Sequence, residues 1–139
     1  MDEDEEITQV CKEAVGRLAE ALPGREVGCL LRSGDTLRHV AQSGRLRFIF
    51  EVPDELGGVT WRAVGERATQ VVPDVASDSD YIASDDGVRA EIAVPVTVGD
   101  HVVAVLDVEH RERLEEGDAP RVEREAARLA RDLARIYAS

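Results

Sequence analysis

Residues 57–109 read GGVTWRAVGERATQVVPDVASDSDYIASDDGVRAEIAVPVTVGDHVVAVLDVE, and their patterning decides the fold. Two near-continuous apolar runs, Arg89 to Val98 and His101 to Glu109, flank a tight Gly99-Asp100 turn. That is the pattern of a β-hairpin covered on both sides, so the pair is expected in the centre of a sheet. Upstream, Ala68 to Val72 reads as a short strand closed by Pro73. Leu56 to Glu66 reads as a turn entering a short helix, with Trp61 and Val64 on one side. The polar tract from Asp74 to Val88 has no period. Irregular stretches of that length are uncommon inside a domain, and where they occur they more often carry function than not.

Acidic residues recur at the edges of these apolar strands: Asp74, Asp85, Glu91 and Asp107. A carboxylate beside a buried strand is costly unless it is solvated, paired or turned towards a cavity. The stretch therefore predicts a concave polar site.

Working outward, apolar residues at 7, 10, 11, 14, 15, 18 and 22 form the one-sided stripe of a helix from Ile7 to Leu22. The acidic run before it complements a helix N-terminus, and Pro23-Gly24 stops it. Glu26 to Arg32 and Thr36 to Gln42, joined by Ser33-Gly34-Asp35, read as a second hairpin, and Arg45 to Val52 as a third extended segment bounded by Pro53. Ala119 to Tyr137 is a closing helix with Pro120 in its first turn. This order predicts one α+β domain spanning residues 1–139, a mostly antiparallel sheet with the terminal helices on one face.

Composition narrows the class. The 139 residues carry 43% apolar and 33% charged side chains, typical of a folded domain with a real core. A net charge of −12 argues against nucleic-acid or anionic-membrane partners, which require cationic patches. No apolar run is long enough to span a membrane, and the acidic start is unlike a secretory signal, so a cytoplasmic location is expected. The two cysteines, Cys11 and Cys29, sit in apolar surroundings and read as small buried hydrophobes. His39, His101 and His110 are dispersed, and no spacing among them predicts a metal site. No cofactor is assigned.

GGVTWRAV, then VVPDV, a polar loop, AEIAVPV and VVAVLDVEH together resemble a GAF domain, most strongly from Gly57 to His110. The resemblance implies a central antiparallel sheet of about five to six strands, terminal helices on one face, a ligand pocket on the other and dimerisation through those helices. Within the family, DYIASDDGVRAEIAVPV followed by VLDVE is most similar to the free methionine-(R)-sulfoxide reductases. In those enzymes cysteines stand at the positions held here by Ser84 and Thr60 and near Phe50. A serine hydroxyl cannot do the two-electron work of a thiolate, nor can it resolve a sulfenic acid. The resemblance also implies that Glu91 and Asp107 hold the ligand.

Other readings stand beside these. Glu91 can pair with Arg89 or another surface arginine, and Asp107 can face the open side of a sheet. Asp85 and Asp86 suit a loop on turn chemistry alone. Ser84 and Thr60 are candidates only because they occupy cysteine positions. Trp61 and Tyr81 can cover the apolar part of a ligand, and for Trp61 core packing fits equally. The reading that follows is a small-molecule sensor domain without catalysis, for an amino-acid-like ligand, its chains paired as a homodimer. A sulfoxide reductase and a helix-mediated interaction module are the alternatives.

Overall fold

The computed structural model describes residues 1–44, 50–82 and 87–139. In chain order these form α1 (Glu3–Ala21), β1 (Glu26–Ser33), β2 (Thr36–Ser43), β3 (Glu51–Pro53), α2 (Val59–Glu66), β4 (Gln70–Val72), β5 (Ala90–Val98), β6 (His101–His110) and α3 (Asp118–Ala138). The strands make one six-stranded sheet in the order β3-β2-β1-β6-β5-β4, every neighbouring pair antiparallel. The GAF-type α+β architecture expected from the sequence is the one observed.

Strand parity distributes the side chains. Ile92, Val94 and Val96 of β5 and Ala104, Leu106 and Val108 of β6 face the terminal helices, meeting Leu18 of α1 and Leu129 and Leu133 of α3. The intervening Ala93 and Val105 face the other way, against Val59, Ala63 and Val64 of α2. Both faces are therefore covered, which is why the two runs are nearly unbroken apolar sequence. Burying each such side chain stabilises the fold by about 1.5–3 kcal/mol. Gly99 makes the hairpin turn possible with a backbone φ of +60°, a conformation open to glycine at little cost.

The ends of the helices explain their lengths. α1 begins at Glu3, before the apolar stripe, because Asp2 caps it by accepting from the Glu5 amide at 2.8 Å and the acidic run occupies the first turn. α1 and α3 are joined by Arg17, whose Nε donates to Glu125 at 2.8 Å. At the start of α3, Arg25 donates to both carboxylate oxygens of Asp118 at 2.9 Å.

Two expectations need adjustment. β1 and β6 form the centre of the sheet, and β5 lies one place out, between β6 and the short edge strand β4. Of the third extended segment, Arg45 to Ile49 lie outside the described residues. The strand that pairs there is Glu51–Pro53, with Pro53 as its last residue opposite Thr36 rather than its outer boundary. Among the described residues no helix is long and apolar enough to cross a membrane.

Candidate functional site

The parity that sends Ile92 and Leu106 to the helices sends Glu91, Asp107 and Glu109 to the opposite face. All three are buried, at 4%, 3% and 3% exposure. Glu91 stands opposite Glu109 in the β5–β6 register, and Asp107 is opposite Ala93 on one side and Gly28 of β1 on the other. Those two small partners leave open space beside Asp107, and Glu91 reaches it diagonally to make a side-chain hydrogen bond. One oxygen from each of the three carboxylates lies within 4.8 Å of the others.

These acids form one wall of a cavity of about 40 Å³. Leu30 and Val52 close it from the sheet side, and the first turn of α2 supplies Gly58, Val59 and Thr60. That turn is the positive end of the helix dipole, which favours nearby negative charge. Ile82 lines it as well, its Cδ1 lying 2.8 Å from where a Cβ on Gly58 would project. The segment before Ile82 is tied to α2, since Arg62 donates to Asp78 at 2.8 and 3.0 Å and to Asp80 at 3.0 Å.

The electrostatics are those of acids deprived of water. Burial pushes the Glu91 carboxyl up to about 7, offset in part by its hydrogen bond with Asp107 and reinforced by Glu109. Burial and then the neighbouring Glu91 hold Asp107 well above the usual carboxylate range. Without a counter-charge the pair holds a proton to higher pH than ordinary carboxyls do. Asp107 Oδ1 is fully buried and accepts no hydrogen bond among the described residues.

The candidates sort by position. Glu91, Asp107 and Thr60 line the cavity together. Trp61 and Tyr81 lie beside it and pack against the α2-side core, not on the lining. The Trp61 indole donates to the Val52 carbonyl at 2.7 Å, and the Arg32 guanidinium sits 5.7 Å from its ring centroid. Asp74 instead caps a single 3-10 turn by accepting from the Ala76 amide at 3.1 Å. Ser84 and Asp85 lie outside the described residues. Glu109 and His39, which sequence reading did not place at the site, also line the cavity. Glu109 was legible in principle, since it follows Asp107 by the two-residue step that keeps a strand side chain on one face.

Neither cysteine is at the cavity. Cys11 of α1 and Cys29 of β1 are fully buried in the helix-side core, where contact with Cys11 and burial push the Cys29 thiol well up. Phe50, at the other position matched to a cysteine, is exposed.

Comparison with known proteins extends this picture. The family model described as GAF domain matches residues 6–138. No curated protein matches the chain. Among solved structures, the type II free methionine-R-sulfoxide reductase of Thermoplasma acidophilum superposes with a TM-score of 0.87 at 21% identity, covering 97% of each chain. The free methionine-R-sulfoxide reductase of Neisseria meningitidis, solved in complex with its substrate, gives a TM-score of 0.83 at 27% identity, covering 93% of this chain and 80% of that one. Residues 122 to 287 of a methyl-accepting chemotaxis protein give 0.80 at 19% identity over 96% and 90% of the two chains, a likeness of fold.

Proposed function

The chain belongs to the GAF domain family, and from that premise we propose that it recognises a small, polar, amine-bearing metabolite without transforming it. The observation that carries this reading is the buried Asp107 Oδ1, which lines the cavity beside Glu91 and Glu109 and accepts no hydrogen bond from the described residues. An ammonium group supplies a donor for that oxygen and a positive charge beside three buried acids. Charge-assisted hydrogen bonds of this kind are the strong ones. A cavity of about 40 Å³ admits such a head group and little more. The rest of the ligand then displaces Ile82 and lies towards Trp61 and Tyr81, whose rings offer apolar area.

A thermal-shift screen against amino acids, methionine sulfoxide and other metabolites tests the proposal. A ligand bound to the folded state raises the melting temperature by mass action. Glu91→Gln is expected to weaken binding of the confirmed ligand by about tenfold or more, because a charged partner becomes a neutral one. Unchanged affinity in that variant would sink the proposed contact.

The likeness to the Neisseria enzyme favours a second reading, reduction of free methionine-R-sulfoxide. That chemistry requires an attacking thiolate at the substrate sulfur. Cys11 and Cys29 lie in the core beyond the opposite face of the sheet from the carboxylates. Turnover of methionine-R-sulfoxide coupled to thioredoxin and NADPH would establish the enzyme in place of the sensor.

A further inference from the structure

We propose that Glu91, Asp107 and Glu109 form a binding site for one hard divalent cation inside the cavity bounded by β5, β6 and the first turn of α2. The inference shares residues with the recognition reading but assigns the cavity a different occupant.

Geometry comes first. Hard cations take oxygen ligands at about 2.0–2.6 Å, so oxygens on opposite sides of one ion stand about 4–5 Å apart. The three carboxylates already offer oxygens within 4.8 Å of one another, from two strands whose register holds them there. Three ligands of one ion cannot all stand opposite one another, so some of these oxygens must close to about 3–4 Å, by torsion of the Glu91 and Glu109 side chains.

An acidic cluster alone would not suffice, since three acids can share protons. The further sign is Asp107 Oδ1, an oxygen on a side chain 3% exposed that lines the cavity and, although the side chain also meets Glu91, accepts no hydrogen bond from the described residues. An acceptor left unmet away from water is costly, and more so when it is charged. The cavity of about 40 Å³ is the right scale: it holds an ion with a water or two, and a whole metabolite is too large for it. Among the described residues lining it there is no lysine or arginine, and His39 is the basic side chain present.

The donor set selects the class of ion. Carboxylate oxygens with the Thr60 hydroxyl nearby suit Mg²⁺, Ca²⁺ or Mn²⁺, and the cavity offers no thiolate to hold a softer metal. An ion and an ammonium group are alternative counter-charges for the same oxygens, so each should displace the other.

The test titrates the chelator-stripped full chain with MnCl₂, followed by electron paramagnetic resonance of free Mn²⁺, and with CaCl₂ by calorimetry. Saturable binding of one ion per chain is expected. Asp107→Asn and Glu91→Gln, each shown to be folded by circular dichroism, should weaken it by about tenfold or more. Glu123→Gln, at an exposed acid of α3, should leave it unchanged. Two variants are used so that the loss of one to misfolding leaves the other to decide. The proposal fails if neither ion binds saturably, or if both folded cavity variants bind within about twofold of the parent. Screening amines in chelating buffer keeps the outcomes separate: amine binding without Mn²⁺ or Ca²⁺ binding leaves recognition standing and removes the ion.

Discussion

Gly58 shows how much a single position controls at this site. Its φ of +100° and ψ of 171° lie in a region that is essentially closed to residues with a side chain. A Cβ there would also approach Ile82 Cδ1 to 2.8 Å, pushing a residue that lines the cavity. Gly58→Ala is expected to lower stability by about 1–3 kcal/mol, read as a reduced denaturation midpoint. Ile82 can swing aside, so most of that loss is backbone strain, and ligand or ion binding should change along with it. The Gly57-Gly58 turn was legible in the sequence; its role as a wall of the cavity was not, because that depends on where Ile82 packs. Glu91 and Asp107 were legible as acids set in apolar strands. Their direct hydrogen bond was not, since it needs the β5–β6 register.

At the scale of elements, the junction of β1 and α3 depends on a buried ion pair distant in sequence. Arg25 and Asp118 have side chains 9% and 3% exposed, and Asp118 also accepts from the Glu115 amide at 3.0 Å. Removing Asp118 leaves the largely buried Arg25 guanidinium with the Pro23 carbonyl and, at 3.7 Å, the exposed Glu115 in place of a two-oxygen contact. Asp118→Ala is therefore expected to cost about 3 kcal/mol or more, measured by urea unfolding. Sequence periodicity located the helix to within a residue, at Ala119, and could not see that its first residue is an anchor. The pairing spans 93 positions, and no local pattern encodes it. The hairpins were more readable, because apolar runs and turn residues are local signals. β3 is only three residues long, too short for periodicity to place its edges.

For the molecule as a whole, the buried acids give stability an unusual pH dependence. An acid whose folded pKa lies above its unfolded value holds more protons when folded, so stability falls as pH rises between the two. For Glu91 that window runs from about 4.5 to about 7, and Asp107 is shifted in the same direction. In ligand-free, chelated buffer the domain is expected to lose on the order of a few kcal/mol as pH rises through that window. Glu91→Gln should flatten the slope, which separates this effect from the general repulsion of a chain with a net charge of −12. Self-association through the terminal helices is a further expectation, since α1 and α3 lie side by side and Tyr137 near the end of α3 is 42% exposed. Light scattering at tens of micromolar, roughly where weak association shows, should give twice the monomer mass. A monomer mass would rule the pairing out.

By itself the sequence determined the α+β class, the order of helices and strands, the antiparallel hairpins and the family. These follow from periodicity, turn residues and composition, all of which act over a few neighbouring positions. Only the tertiary structure decided which acids share a cavity, how large that cavity is and which oxygen in it lacks a partner among the described residues. It also decided that both thiols belong to the opposite core. Those facts depend on register between strands and on packing across the sheet, where residues far apart in the chain meet and water is excluded.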